Sequence, residues 1–217
     1  MLDVTAPAGK VSLAFVFDTT GSMSNDLEIV KNGAQRVLNS ATKRPNQPLH
    51  NFLLVPFNDP HVGPITRTTN AQNFKNQINK LRLESGGGDC PELSMSAIRE
   101  ALLLSLDNSF IYVFTDADAK DIHYKDEILD IIQRKKSQVT FIMTGDCGNR
   151  SDENYQVYES IAAVSSGFVY HFNKNNMDVM INHLQDSIRN DKVVLLTTHY
   201  SEGGQKTWNI PFDSTLG

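Results

Sequence analysis

The chain has 217 residues, 40% of them hydrophobic and 21% charged, with a net charge of -5 and a pI near 5.6. That length accommodates one medium domain with a sizeable core, or a domain plus a stub, and the composition excludes a disordered tail. The acidic balance argues against a nucleic-acid partner, and no apolar run approaches the ~20 residues that a membrane span needs.

Residues Met1 to Lys10 lack a charged start followed by an apolar stretch, which leaves a cytoplasmic protein or a domain cut from a longer, secreted chain. Val11 to Asp18 is a continuous apolar run ending in an acid, as in a strand buried on both faces. Helical spacing follows from Ser24 to Leu38, through Leu27, Val30, Ala34 and Val37. Asn51 to Phe57 is a second buried strand, and Gly63 to Thr68 reads as a short edge strand. Phe74, Ile78, Leu81 and Leu83 mark another helix. After the Gly86-Gly87-Gly88 breaker, Pro91 reads as the first-turn proline of a helix running to Leu106.

Strand Phe110 to Thr115, helix Lys125 to Arg134, strand Val139 to Thr144, helix Tyr155 to Val164, strand Phe168 to Phe172 and helix Met177 to Arg189 complete the alternation. Such a series predicts an α/β fold: a doubly wound, mostly parallel six-stranded sheet with helices on both faces. Residues 1–191 form this domain. Lys192 to Gly217 breaks the rhythm and reads as a β-rich extension, the opening strands of a following domain.

In an open parallel sheet, function gathers at the strand C-termini. Three such ends are polar here: Asp18-Thr19-Thr20-Gly21-Ser22, the Gly86-Gly87-Gly88-Asp89 loop, and Thr115-Asp116. Three carboxylates and two hydroxyls converging on one region repel unless a cation neutralises them. Oxygen donors without sulfur or imidazole select Mg²⁺, Mn²⁺ or Ca²⁺. The candidate metal residues are therefore Asp18, Thr20, Ser22, Asp89 and Asp116, with no catalytic residue.

Asp18-x-Thr20-x-Ser22, a Gly-rich loop and Asp116 in a Thr-Asp strand end together resemble the von Willebrand factor A domain, whose metal-ion-dependent adhesion site is a DxSxS motif plus a Thr and an Asp from two further loops. More narrowly, FDTTGSM, VPFNDPHVGP, GGGDCPE, TGDC and TWNIPFD resemble the A domain of one group of extracellular matrix proteins. The resemblance covers about Lys10 to Asp191. It implies direct metal contact from Thr20 and Ser22, water-mediated contact from Asp18 and Asp116, and an open site that accepts an acidic side chain of a matrix or cell-surface protein. It also implies secretion into the extracellular matrix. Asp89 stands in the place of the loop Thr, counted back from Leu93 and Met95. A carboxylate there would hold the metal more tightly and weaken it as an acceptor of acidic ligands.

Two cysteines, Cys90 and Cys147, both follow Gly-Asp. A reducing compartment leaves them as thiols and a secreted protein can pair them; the resemblance favours pairing, which would tie the Asp89 loop to the Asp146 loop. Asn149-Arg150-Ser151 is a glycosylation sequon in a secreted chain. The plainer readings stand beside these. Asp18, Ser22 or Ser24 can cap the following helix, and Glu92, three residues after Asp89, fits a capping box better than a ligand role. Asn58, Asp59 and Asp118 read as turn formers near the same rim. Two other functions compete: a phospho-aspartate phosphatase of haloacid-dehalogenase type with Asp18 as nucleophile, and a scaffold whose contacts are independent of metal.

Overall fold

The structure is a computed structural model that describes residues 9–43, 49–84 and 89–171. In chain order its elements are β1 (Val11–Asp18), α1 (Leu27–Thr42), β2 (Leu49–Asn58), β3 (His61–Val62), β4 (Thr66–Thr68), α2 (Ala71–Lys80), α3 (Ser94–Leu104), β5 (Phe110–Thr115), α4 (Lys125–Lys135), β6 (Gln138–Met143), α5 (Glu153–Val164) and β7 (Val169–His171), with short 3₁₀ turns at Gly21–Asn25 and Ile122–Tyr124. The helix expected from Met177 and the extension from Lys192, with Trp208 and Phe212, lie outside the described residues.

The apolar runs of β1, β2, β5 and β6 are buried along nearly their whole length because both faces of the sheet are covered. The strand order is β3-β2-β1-β5-β6-β7, with β4 also pairing β2. β2, β1, β5, β6 and β7 run parallel, while β3 and β4 return antiparallel against β2. The sheet thus has seven strands where six were expected, because the edge stretch splits in two around Gly63 (φ +100°) and Pro64.

Alternation sorts the strand side chains between two cores. Leu13, Phe15 and Phe17 of β1 face α1 and α2, meeting Val30, Ala34, Val37, Phe74 and Ile78. Ala14 and Val16 face the α3, α4 and α5 side, meeting Met95, Ile98, Ile128, Ile131, Tyr158 and Ile161. Phe17 stacks on Phe114 at 4.6 Å between centroids, directly beneath the C-terminal ends of β1 and β5. That stack belongs to the α1 and α2 layer.

Two helix starts differ from the sequence reading. A 3₁₀ turn at Gly21–Asn25, anchored by the fully buried Met23, precedes α1, which begins at Leu27. α3 begins at Ser94 rather than Pro91, because Glu92 is drawn into a parallel bridge with Ala119. Among the described residues no helix is long and apolar enough to cross a membrane.

Candidate metal centre

β1 and β5 are neighbours at the point where the strand order reverses, so Asp18 and the Thr115-Asp116 step end side by side at the switch crevice. Asp18 is fully buried. Its Oδ1 accepts from the Thr20 backbone N–H at 2.9 Å and from Thr20 Oγ1 at 2.6 Å, and its Oδ2 accepts from Thr115 Oγ1 at 2.6 Å. Burial pushes its carboxyl up to about 6; the hydrogen bonds from Thr115 and Thr20 oppose this, and Asp116 adds to it. On the solvent side, Ser22 Oγ donates to Asp116 Oδ1 at 2.9 Å, and Thr20 Oγ1 lies 3.0 Å from Ser22 Oγ.

The loop is fixed by its neighbours. The Thr19 N–H and hydroxyl both bond Phe57 O, at 2.9 and 3.0 Å, and the Thr19 carbonyl accepts from Glu84 N at 2.8 Å. Gly145 packs against the Asp116 backbone so closely that a Cβ there would lie 2.8 Å from Asp116 O. Neither Thr20, before the 3₁₀ turn, nor Asp26, before α1, makes a side-chain cap, and Asp18 serves its own turn instead.

Four of the five expected residues, Asp18, Thr20, Ser22 and Asp116, therefore form one hydrogen-bonded chain. Asp89 is placed differently. Its side chain is exposed and ion-paired to Lys120 Nζ at 2.9 Å, which lowers its carboxyl pKa, and the same ammonium binds Asp59. Among the described residues no three His, Cys, Asp or Glu side chains converge to hold a metal, so any ion here depends on the hydroxyls.

The capping-box expectation for Glu92 fails. The first-turn N–H groups of α3, Met95 and Ser96, are taken by Asp121 at 3.0 and 2.7 Å. Glu92 is instead buried, 3% exposed, with Oε2 lacking any hydrogen-bond partner. Its carboxyl is raised to about 7, first by burial and then by the charges of Asp18, Asp59 and Asp89. The sequence reading weighed Glu92 as a ligand and preferred a cap; its burial has no signal in the local sequence.

Cys90 and Cys147 are bridged, joining the loop before α3 to the loop after β6. Asp118 secures this junction: its N–H donates to Cys147 Sγ at 3.4 Å and its Oδ1 accepts from Cys147 N at 3.3 Å. The groups that a phosphatase reading would recruit are engaged elsewhere. Asp146 pairs with Arg150 at 2.6 Å, Asp152 caps α5, and both oxygens of the buried Asp18 accept hydrogen bonds.

A family model described as the von Willebrand factor A domain matches residues 12–174. The chain is 49% identical over 210 residues to Hemicentin-1 of Mus musculus, covering 97% of this chain, and 45% identical to Hemicentin-2 of Mus musculus, covering 96%. It spans about 4% of the length of either relative. The von Willebrand factor A domain-containing protein 7 of Homo sapiens is 36% identical over 78% of this chain and 19% of its own. Among solved structures, proximal thread matrix protein 1 from the mussel byssus matches 82% of this chain and 45% of its own with a TM-score of 0.59 at 15% identity. Another structure of that protein, with a TM-score of 0.56 at 14% identity, has a zinc-occupied MIDAS motif.

Proposed function

The chain belongs to the von Willebrand factor A domain family, and on that premise we propose that it is a non-enzymatic adhesion module of an extracellular matrix protein, binding a protein ligand through a divalent cation. Thr20 and Ser22 would hold the ion through their hydroxyls, Asp18 and Asp116 through bound water, with Asp89 at the rim.

One observation carries this reading. Thr20 Oγ1 and Ser22 Oγ each reach a carboxylate, Asp18 Oδ1 at 2.6 Å and Asp116 Oδ1 at 2.9 Å, and they lie 3.0 Å from each other at the crevice mouth. Each oxygen keeps a lone pair beyond these bonds, so the two present adjacent neutral oxygens to a cation. For an octahedral ion with oxygens at about 2.0–2.1 Å, adjacent ligands lie about 2.8–3.0 Å apart, whereas Ca²⁺ would spread them to about 3.3–3.7 Å. The spacing favours Mg²⁺, then Mn²⁺.

Bound through neutral hydroxyls, the ion supplies an electron-poor position open to an acidic side chain of the partner. Asp18 and Thr20 are buried while Ser22 is exposed and Asp116 half-buried, so the approach is from the Ser22 and Asp116 side. The Cys90–Cys147 bridge suits an oxidising, extracellular setting, and the similarity to hemicentins supports a matrix location.

The test is water-proton relaxation of the Mn²⁺-loaded chain. A protein-bound ion with an open position should enhance relaxation, and titrating acetate should lower the enhancement as carboxylate displaces water. Enhancement that acetate leaves unchanged would contradict the adhesion reading and favour a metal-independent scaffold.

A further inference from the structure

The loop between β6 and α5 carries Asn149-Arg150-Ser151, the one Asn-x-Ser/Thr triplet in the whole sequence, and the cation site makes no use of it. Such a triplet accepts an N-linked glycan only where the chain passes through a secretory lumen and the folded surface has room for a bulky, solvated sugar. Both conditions leave marks in the structure.

Gly148 turns the loop outward with φ +92°, and a Cβ there would meet nothing within 4 Å, so the space beside the triplet is open. Asn149, Arg150 and Ser151 are all exposed, and none belongs to either core. Their backbone is nevertheless fixed. Asn149 Oδ1 accepts from the Ser151 N–H at 3.1 Å, the Asn149 carbonyl accepts from Asp152 N at 3.0 Å, and Gln156 Nε2 donates to Arg150 O at 2.6 Å. Arg150 folds back on the loop, pairing with Asp146 at 2.6 Å and standing over the Tyr155 ring at 5.9 Å. The two side chains that glycan transfer needs stay on the outside: among the described residues, Asn149 Nδ2 and Ser151 Oγ make no hydrogen bond.

Just before the triplet, Cys147 is bridged to Cys90, and such a bridge forms in the oxidising lumen where glycan transfer also takes place. We infer that Asn149 is an N-glycan attachment site, with the sugar rooted beside the cation crevice. This rests on the extracellular part of the reading above and not on the metal. In the transfer, Asn149 Nδ2 forms a bond to the anomeric carbon of an oligosaccharide. The bond from that carbon to the phosphate oxygen of a lipid pyrophosphate donor breaks, and one amide proton leaves with the released lipid pyrophosphate. Gly145, which packs on Asp116, is four residues from Asn149, a span of at most about 14 Å of chain. A solvated glycan rooted so close resists burial in a protein interface, so the α5 side of the crevice faces solvent and a partner docks from the others.

The experiment expresses the chain behind a secretion signal in cultured animal cells, as wild type, Asn149→Gln, Ser151→Ala and Ser151→Thr. Intact mass is read before and after peptide N-glycosidase, on the secreted and the cell-retained pools alike. Wild type and Ser151→Thr should carry mass that the enzyme removes, and Asn149→Gln and Ser151→Ala should carry none. Ser151→Ala is the sharper control, because the bond to Asn149 Oδ1 comes from the backbone N–H and survives loss of the hydroxyl. Wild type without enzyme-sensitive mass in either pool would overturn the inference; if the Cys90–Cys147 bridge is present in that material, the extracellular reading stands without the glycan. Enzyme-sensitive mass that persists in Ser151→Ala would overturn it too, by showing attachment independent of the triplet. Should wild type form neither bridge nor glycan, the extracellular reading fails and this inference falls with it.

Discussion

Replacing Cys90 and Cys147 together by alanine should cost about 4 kcal/mol of stability. The bridge joins residues 57 apart in sequence, and a cross-link of that span removes roughly that much loop-closure free energy from the denatured chain. The native state loses little in return. Glu92 keeps its bonds to Asp118 and Lys120, and both cysteines lie at the sheet's C-terminal edge rather than in either core. For a domain of this size the loss corresponds to a fall in Tm of about 8–16 °C. Thermal and urea unfolding followed by far-UV circular dichroism, on the variant and on wild type with and without dithiothreitol, measure it. Reduced wild type should match the variant. A loss below about 1 kcal/mol, or reduced wild type unfolding like oxidised, would refute the argument that the bridge acts by constraining the unfolded chain.

Other outcomes follow from the same contacts. Thr115→Val removes the 2.6 Å hydrogen bond to Asp18 Oδ2 with little change in shape and should cost about 1–3 kcal/mol in urea unfolding; under 0.5 kcal/mol would contradict it. Gly145→Ala places a methyl 2.8 Å from Asp116 O and should weaken Mg²⁺ binding about tenfold or more without touching a ligand, read by calorimetry. Gly167→Ala sets a Cβ 1.8 Å from Val139 O and should lower stability by more than about 3 kcal/mol, with wild-type unfolding as the contrary result. His171 is paired with Tyr155, whose hydroxyl also donates to Glu159, and it lies near Arg150 and Asp146. Burial and then the Arg150 charge lower the His171 pKa from 6.5 to about 4. Below pH 6.5 the unfolded chain takes up a proton that the folded one refuses until about pH 4, so stability drains away across that window. Relative to His171→Gln, wild type should lose roughly 1–2 kcal/mol between pH 7 and pH 4, and parallel pH profiles would refute the assignment.

Much of the fold was legible because its signals are local. The apolar runs of β1, β2, β5 and β6 are buried on both faces, and such runs need no partner information to be read. The Asp18-x-Thr20-x-Ser22 turn and the Thr115-Asp116 step were legible for the same reason: strand ends at a switch point gather without further instruction. What escaped depends on contacts distant in sequence. Asp89 was counted into the site from Leu93 and Met95; its ion pair with Lys120, 31 residues on, has no signal in the local sequence. Glu92 has the spacing of a capping box, yet Asp121 bonds the first-turn N–H groups of Met95 and Ser96 from 26 and 25 residues away, and the bridge to Ala119 delays α3 to Ser94. Gly145 lies in the TGDC string, but its close packing exists only because β6 ends beside Asp116.

Calorimetric titration of Mg²⁺ and Ca²⁺ into EDTA-stripped protein, wild type beside the Ser22→Ala/Asp116→Ala double variant, tests the central claim most directly. The account predicts saturable one-site binding, tighter for Mg²⁺ than for Ca²⁺, that the double variant abolishes. Absence of saturable heat in wild type, or binding that survives in the variant, would contradict it.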